Sequence, residues 1–247
     1  MNFTVGESSL FLHKLQNKIH ASRDIQVVVA PSLMALQPLS LQIDRRKLKL
    51  SAQNFYHKDF GAFTGEVSIN QLRNLVDYSI IGHSERRHIF GETDKDISLK
   101  VAAALRNGIT PILCIGETAE ERKNGETADI IRDQLLGGLK EVSKEEIKDV
   151  IIAYEPVWAI SSTKNAVPAT PDKIQEVIDL IRKTLKSTFG KEVEEETSVL
   201  YGGSVKTTNA AAYLGIEGVN GLLIGGASLI ASDFLDIIET AKRIKNE

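Results

Sequence analysis

Two side chains with acid–base chemistry directly follow apolar segments. Glu155 ends the apolar start of "IIAYEPVWAI" (151–160), and His83 follows "YSIIG" (78–82). A buried carboxylate is costly unless it is paired or its pKa moves. Glu155 therefore has either a structural partner or a task as a base in a site that excludes water. His83 allows the same two interpretations, a satisfied polar residue or a catalytic group.

Two glycine pairs near the end of the chain could bind an anion. "YGGS" ends at Ser204, and "IGGAS" contains Gly225 and Gly226. Glycine lets backbone N–H groups approach a phosphate closely, and we expect "GGASL" to open the last helix, whose N-terminal dipole favours a dianion. Each pair alone is equally typical of a tight strand-to-helix turn. Their position after the last two predicted strands favours phosphate binding.

Seven short apolar runs must position these residues. Each is too continuously apolar for a half-exposed strand, so each predicts a parallel strand covered on both faces. Helical patterns separate them, such as 97–108 with Gly108 at its end, and 170–185 with Thr170 as N-cap and Pro171 as first helical residue. This alternation predicts an α/β fold of βα units. The runs are "IQVVVAP" (25–31), "KLKLSAQ" (47–53), "YSIIGHS" (78–84), "ITPILCIG" (109–116), "DVIIAYEP" (149–156), "SVLYGGS" (198–204) and "GLLIGGAS" (221–228).

The strand count points to a particular architecture. Seven strands preceded by a helical pattern are one strand short of a TIM (β/α)8 barrel, and the remaining strand belongs in front of Met1. We therefore expect a TIM (β/α)8 barrel with the first strand absent from this sequence, in a single domain of residues 1–247. In this fold the carboxyl ends of the strands hold the active site. The polar candidates fall at those ends: His83, Glu155, Ser204, Gly225 and Gly226.

Composition excludes several classes of function. The chain has 247 residues and a formal net charge of -3, which gives no electrostatic footprint for nucleic acid or an anionic membrane. No segment approaches the roughly 20 apolar residues that span a bilayer, and "MNFTVGESSL" is not typical of a signal peptide. The single cysteine, Cys114, cannot form an internal disulfide. That fits a reducing compartment, so we expect a cytoplasmic protein.

Four segments resemble the signatures of the triosephosphate isomerase family. They are "GHSERRHIFGE" (82–92), "AYEPVWAI" (153–160), "YGGSV" (201–205) and "GLLIGGASL" (221–229). The segment "NFYHKDFGAFTGEVS" (54–68) looks like the dimer loop of the same family. The similarity runs in order from about Met1 to the final helix. It implies a glycolytic and gluconeogenic isomerase that interconverts D-glyceraldehyde 3-phosphate and dihydroxyacetone phosphate through an enediolate, without cofactor or metal.

The resemblance also implies a role for individual residues. Glu155 matches the base that moves a proton between two carbons of the substrate, and His83 matches a neutral imidazole that donates to the substrate carbonyl. Glu85 matches a supporting carboxylate near the site. Thr64 matches a residue that the dimer loop brings near the partner's active site in a homodimer. The phosphate-binding positions are Ser161, Ser204, Gly225 and Gly226.

The sequence departs from the family pattern in two places. After "PVWAI" the family has a Gly-Thr-Gly type segment, whereas this chain reads "SSTKNAVPATP", with Ser161 in place of a glycine and a few extra residues. The phosphate contact could therefore come from any residue of 161–163. The family's first strand ends in Asn-Trp-Lys-Met-Asn, and Met1-Asn2 matches the end of that motif. We expect a short upstream segment to encode this strand and its catalytic lysine.

Two other functions remain open. Another phosphate-binding barrel enzyme, such as a sugar-phosphate isomerase or aldolase, would share only the phosphate glycines and would not explain "YEPVW" with "GHSERR". A non-catalytic relative would keep the dimer and the phosphate site but lack turnover. The upstream residues distinguish the isomerase from this second alternative.

Overall fold

Seven parallel strands form a single sheet in sequence order. The computed structural model describes residues 2–160 and 167–245, and every neighbouring pair of strands in them is parallel. Each strand lies inside one of the seven predicted runs, so the predicted parallel α/β sheet is confirmed. The strands are β1 Val28–Val29, β2 Lys49–Ala52, β3 Tyr78–Ile81, β4 Thr110–Ile115, β5 Ile151–Tyr154, β6 Val199–Tyr201 and β7 Gly221–Leu222.

Helices connect successive strands, as parallel pairing requires. Within the described residues, three 3-10 helices lie at Lys144–Asp149, Val157–Ala159 and Gly226–Leu229. The α-helices of the described residues are α1 Val5–Gln16, α2 Leu33–Ser40, α3 Ile69–Leu72, α4 Ser84–His88, α5 Asp94–Arg106, α6 Ala119–Lys123, α7 Thr127–Gly138, α8 Pro171–Phe189, α9 Lys191–Glu196, α10 Ala210–Leu214 and α11 Ala231–Lys245.

Local sequence signals account for several helix ends. α1 begins after Thr4, whose hydroxyl accepts the Glu7 N–H while the Glu7 carboxylate accepts the Thr4 N–H at 2.8 Å. α5 ends as predicted, with Gly108 at φ 70°. α8 begins at Pro171 as predicted, but the Thr170 side chain makes no capping hydrogen bond within the described residues. The fixed φ of proline, which needs no donor at this position, is sufficient to start this helix.

Both faces of the sheet are covered, which explains the unbroken apolar runs. Alternate residues of β4 point to opposite faces. Leu113 and Ile115 belong to the large core between sheet and helices. Ile112 and Cys114 belong instead to a small inner cluster with Ala153 of β5. The strand therefore needs apolar side chains at every position, as the sequence pattern predicted.

The two ends of the sheet lie near each other, since α1 contacts α11. No strand ladder joins β7 to β1 in the described residues. Between these two edges and the inner faces of α1 and α11 lies a cavity of about 1300 Å³. The cavity continues into the sheet interior at Tyr78, Ile112 and Leu200, and reaches His83 and Glu155 at the carboxyl ends of the strands. The sheet is thus curled around a cavity that has two unpaired strand edges on its border.

Among the helices of the described residues, none combines the length and the apolar composition needed to cross a membrane.

Candidate active site

The sheet brings Glu155 and His83 together at its carboxyl edge. Glu155 follows β5, and its N–H donates to the carbonyl of Ile115 at the end of β4 at 2.8 Å. His83 follows β3 after Gly82, which turns the chain at φ 69°, and it is the N-cap residue of α4. Since β3 and β5 both pair with β4, the two side chains meet across the end of the middle strand. The pairing of the three strands therefore positions both catalytic candidates.

The Glu155 carboxylate is buried and has few partners. The residue is 2% exposed, and its Oε1 lies 3.1 Å from Nε2 of His83. Its Oε2 accepts the backbone N–H of Ser84 at a long 3.4 Å. Both candidate residues line the large cavity. A carboxylate held in this way is close to a proton donor and has little competing solvation, as a base in a site that excludes water requires.

The hydrogen bonds of His83 define which ring nitrogen carries the proton. Nδ1 accepts the Glu85 N–H at 3.3 Å, so the proton of the neutral ring lies on Nε2 and points to Glu155. Burial lowers the pKa of His83, but the hydrogen bond and charge of Glu155, with the charge of Glu85, outweigh burial and raise it. The neutral imidazole that the resemblance implies fits the Nδ1 contact, whereas Glu155 favours the protonated form.

Small residues make the space that Glu155 occupies. A Cβ atom on Gly202 would lie 2.8 Å from Cγ of Glu155, and one on Gly116 would lie 1.9 Å from its carbonyl oxygen. The peptide of Gly116 is fixed by Gln134, whose Oε1 accepts the Gly116 N–H at 2.8 Å and whose Nε2 donates to the Gly116 carbonyl. The first glycine of "YGGS" therefore has a packing reason that the sequence analysis did not anticipate.

Cys114 contacts Glu155 from the interior of the sheet. Burial raises the pKa of the Cys114 thiol well above its ordinary value, and the charge and hydrogen bond of Glu155 act in the same direction. The thiol is thus protonated at neutral pH. Cys114 has no disulfide partner.

The segment "GGASL" does not open the last helix, and this expectation was wrong. Residues Gly226–Leu229 form a separate 3-10 helix, and α11 begins only at Ala231. Ile230 between them has extended dihedrals, φ -109° and ψ 111°, which interrupt the helical path. Gly225 and Gly226 nevertheless line the same cavity as Glu155. Their N–H groups stand at the start of a helix, where backbone donors lack intrahelical acceptors.

The remaining candidates from the sequence differ in how far they are exposed and in what they contact. Ser204 is 7% exposed and its N–H already donates to the Ala159 carbonyl at 2.8 Å, so only its hydroxyl is left for a ligand. The Glu85 side chain is 53% exposed, and its carboxylate lies 4.0 Å from Nδ1 of His83. Thr64 lies in an exposed loop. Ser161 lies outside the described residues.

Glu117 is a site residue that the sequence analysis missed. It is 0% exposed. Its carboxylate accepts hydrogen bonds from Nε1 of Trp158 at 2.9 Å, Nη1 of Arg122 at 2.9 Å and the hydroxyl of Tyr154. Arg122 also stacks over the Trp158 ring at 5.0 Å. These contacts fix the 3-10 helix Val157–Ala159 immediately after Glu155. The signal was present, because Glu117 also follows an apolar strand.

No group of three or more His, Cys, Asp or Glu side chains with metal-binding geometry occurs in residues 2–160 and 167–245.

Comparisons with known proteins agree with this arrangement. The family model described as triosephosphate isomerase matches residues 1–241. A triosephosphate isomerase of Chloroherpeton thalassium is 45% identical, over 96% of this chain and 94% of that protein. Proteins of the same name from Clostridium perfringens, 40% identical over 96% and 95%, and Streptococcus mutans, 41% identical over 98% and 95%, are also similar. The chain therefore belongs to the triosephosphate isomerase family.

Proposed function

We propose that this chain interconverts D-glyceraldehyde 3-phosphate and dihydroxyacetone phosphate, as the names of its relatives indicate. The observation that carries the proposal is the 3.1 Å contact between Glu155 and His83 inside a cavity that Gly225 and Gly226 also line. A base, a hydrogen-bond donor and free backbone N–H groups are the three elements that a phosphorylated hydroxy-carbonyl substrate needs for proton transfer.

The reaction moves one proton from carbon to carbon and one proton from oxygen to oxygen, and it changes no overall oxidation state. The Glu155 carboxylate takes a proton from the carbon next to the carbonyl group, and the electron pair of that C–H bond forms the carbon–carbon double bond of an enediolate. The Nε2–H of His83 donates its proton to the carbonyl oxygen on which negative charge develops, and Nε2 then takes the proton of the neighbouring hydroxyl group, which becomes the new carbonyl. Glu155 then returns the proton to the neighbouring carbon. A substrate placed between the two side chains separates them and so removes the influence that raises the pKa of His83.

The phosphate group belongs at the glycine end of the cavity. The N–H groups of Gly225 and Gly226 can approach a phosphate because no side chain stands in front of them. The hydroxyl of Ser204 is a further candidate donor, and a backbone contact from Ser161 remains part of the proposal. Glu85 supports the site through its effect on His83.

The test is turnover of the purified 247-residue chain in deuterium oxide, followed by proton NMR. We expect conversion of D-glyceraldehyde 3-phosphate to dihydroxyacetone phosphate, with solvent deuterium appearing at the carbon that receives the proton. If the chain shows no conversion of substrate and no deuterium exchange, the isomerase function is rejected. Binding of a phosphorylated carboxylate inhibitor without any exchange would instead establish the non-catalytic alternative.

One observation favours that alternative as a second candidate. The described cavity wall contains the carboxylates of Glu85 and Glu155 near His83. Of the two lysine or arginine residues in the described wall, Arg86 is paired with Glu92 at 3.2 Å and Lys245 lies at the last residue of α11. An enediolate phosphate carries negative charge, and a basic side chain that is not already paired with a carboxylate would stabilise it. A site without such a cation beside the substrate would bind phosphate but turn over slowly.

We also propose a symmetric homodimer held by the loop of residues 54–66. In this loop Phe60 is 79% exposed and Phe63 is 40% exposed. Ile89 and Phe90, which directly follow α4 in the sequence, are 72% and 68% exposed. Exposed apolar groups of this size favour an interface. Phe55 of the same loop does not contribute to this exposed group, because it is 2% exposed and packs in the protein's own core. Thr64 is the residue that we expect near the partner's site.

Sedimentation velocity at micromolar concentration tests the dimer. We expect a dimer for the unmodified chain and a monomer after Phe60→Asp, because a charge replaces an exposed apolar contact. Leu41→Asp is a matched control, since Leu41 is 84% exposed and lies outside the loop. Monomeric unmodified chain, or equal effects of both variants, would reject the proposed interface.

We also propose the complete architecture of the barrel, its domain organisation and its location in the cell. The complete architecture is a (β/α)8 barrel whose further strand lies between β7 and β1, as the two unpaired edges suggest. Residues 1–247 form one domain, because a single sheet order runs through all seven described strands. The location is cytoplasmic, consistent with the buried free thiol of Cys114.

A further inference from the structure

A buried arginine lies one turn of helix after His83. Arg87 is on α4, and its side chain is only 9% exposed. Long side chains of a helix point back toward the amino end of that helix. The Arg87 guanidinium therefore reaches past the start of α4 to the end of β3. Arg86, the neighbouring arginine, contacts Glu92 instead.

Three acceptors surround the Arg87 guanidinium. Its Nε donates to the Gly82 carbonyl at 2.8 Å, and its Nη2 donates to the Cys114 carbonyl at 3.1 Å. Its Nη1 donates to Oδ1 of Asp94 at 2.6 Å. Asp94 supplies the opposite charge, and its side chain is 42% exposed. A buried guanidinium is tolerated when its donors and its charge are satisfied in this way.

The two carbonyl groups belong to neighbouring strand ends. The last paired positions of β3 and β4 are Ile81 and Leu113. Gly82 and Cys114 come directly after them, and Gly82 turns the chain away at φ 69°. The Ile115 carbonyl accepts from β5, and alternate residues of a strand direct their carbonyls to opposite sides, so the Cys114 carbonyl points toward β3. The guanidinium thus continues the connection between β3 and β4 where their backbone pairing ends.

This connection bears on the distance between the two acid–base groups. Gly82 and His83 share a peptide, and its plane is fixed by the donor that binds the Gly82 carbonyl. β4 holds Glu155 through the bond from the Glu155 N–H to the Ile115 carbonyl. Arg87 therefore joins the backbone that carries His83 to the backbone that holds Glu155, whose side chains are 3.1 Å apart. Misplacement of reacting groups by about 1 Å can cost much of the rate.

The shape of the guanidinium suits this task better than its charge alone. The group is planar and holds Nε and Nη2 at a fixed spacing, so it binds two carbonyl groups in one relative orientation. A lysine ammonium is a point charge on a flexible stem. It would keep a contact with Asp94 but would not fix both carbonyl groups. Arg87→Lys is therefore a sharp test of what the arginine does.

We propose that Arg87 is a positioning residue for the proton transfer, acting through the peptide that joins Gly82 to His83. It keeps Nε2 of His83 directed at Glu155 and at the substrate oxygen. Arg87 does not line the large cavity, so it acts from outside the substrate's space. The kinetic consequence rests on the proposed isomerase function, whereas the orientation of the His83 ring can be measured without turnover.

NMR of the His83 ring in the 247-residue chain tests the proposal, at a pH above the raised pKa of that ring. In the unmodified chain we expect one Nε2–H signal, because Nδ1 already accepts the Glu85 N–H. In Arg87→Lys we expect this signal to broaden and the second ring tautomer to appear. In the same variant kcat should fall about 10–100-fold with little change in KM.

The two measurements separate this inference from the isomerase function. A folded Arg87→Lys with a native His83 signal overturns the proposal, and so does a native kcat in an active chain. If the unmodified chain shows no turnover, the isomerase function fails, and the ring signal alone decides the role of Arg87.

Arg45→Lys is the matched control, because Arg45 binds the amino end of β3 as Arg87 binds its carboxyl end. The Arg45 guanidinium donates to two backbone carbonyls and to Asp77, which directly precedes the strand. This substitution should lower stability but leave the His83 signal and kcat unchanged. Equal effects of both variants on the ring signal would indicate general loosening of the strand and would reject the proposal.

Asp94→Asn covers the case in which Arg87→Lys does not fold. This variant leaves both carbonyl acceptors in place and removes the charge of a partly exposed partner. Because the guanidinium is then held less firmly, we expect faster exchange of the Arg87 Nε–H and a broader Nε2–H signal of His83. With Arg87→Lys unfolded, an unchanged His83 signal in Asp94→Asn would overturn the proposal.

Discussion

The two sides of the sheet differ in how completely their backbone is paired. On one side, β3 and β5 each form four residue pairs with β4, which lies between them. This side carries the two acid–base candidates, His83 and Glu155, at its carboxyl edge. On the opposite side, β1 and β7 are two residues long and each pairs with a neighbour on one side only in the described residues. The comparison shows that proton-transfer geometry can be built by three strands alone, while closure of the sheet depends on the other side.

Glu155→Gln is expected to have the largest effect on the fully paired side. It should lower kcat about 10²–10⁴-fold with little change in KM, because the carboxylate acts in proton transfer and not in binding. Steady-state kinetics in both directions measure this effect. Glu85→Gln is the matched control and should lose much less, since that carboxylate is half exposed. Near-normal turnover of Glu155→Gln would remove the acid–base pair from the mechanism.

Glu117→Ala tests how rigidly the paired side is built. The substitution leaves the Arg122 guanidinium, whose side chain is 22% exposed, without its buried partner. We expect the free energy of unfolding to fall by about 3 kcal/mol, as for other broken buried ion pairs. Urea denaturation measures it. Glu176→Ala removes an exposed carboxylate 4.0 Å from the same arginine and should change stability by less than about 0.5 kcal/mol. Similar losses in both variants would contradict this role of Glu117.

Gly202→Ala tests the packing around Glu155. The added Cβ would lie 2.8 Å from Cγ of Glu155, so either the carboxylate or the strand end must move. We expect about 1–3 kcal/mol of destabilisation, as in overpacked interiors, together with a lower kcat. Thermal unfolding and kinetics on the same preparation measure both. An alanine variant with native stability and turnover would show that this close contact does not position the base.

Gly6→Ala is the counterpart on the open side. Gly6 lies in the first turn of α1, and a Cβ atom there would have no heavy atom within 4 Å. The variant should be more stable by about 0.5–1 kcal/mol, since alanine loses less backbone entropy in a helix. Chemical denaturation beside Gly202→Ala gives the contrast directly. Destabilisation by Gly6→Ala would mean that α1 is more tightly packed than its open surroundings suggest.

The His83–Glu155 pair should make a small contribution to pH dependence. The pKa of His83 is raised in the folded protein, so its contribution to stability is fully present below the ordinary histidine pKa of about 6.5. That contribution is lost as pH rises above this value and passes through the raised pKa. The difference in unfolding free energy between the unmodified chain and His83→Gln, followed from pH 5 to 8, measures it. A difference that grows with rising pH would reverse the assignment.

Much of this molecule follows from local sequence pattern. The seven apolar runs became seven strands because residues buried on both faces must be apolar at every position. Gly108 and Pro171 marked helix ends through fixed backbone preferences. His83 and Glu155 were found because polar residues directly after buried strands are rare and costly. In each case the physical cause acts within a few residues of the chain.

Only the tertiary structure decided the remaining features. The need for glycine at position 202 comes from a side chain 47 residues earlier, as the positions of Glu155 and Gly202 show. Phe55 is buried because its side chain is part of the large core cluster. The 3-10 helix Gly226–Leu229 replaced the expected start of α11, since extended dihedrals at Ile230 separate the two. The open edges of β1 and β7 appear in no local pattern. Pairing and packing join residues distant in sequence, so their outcome is fixed only when the strands assemble.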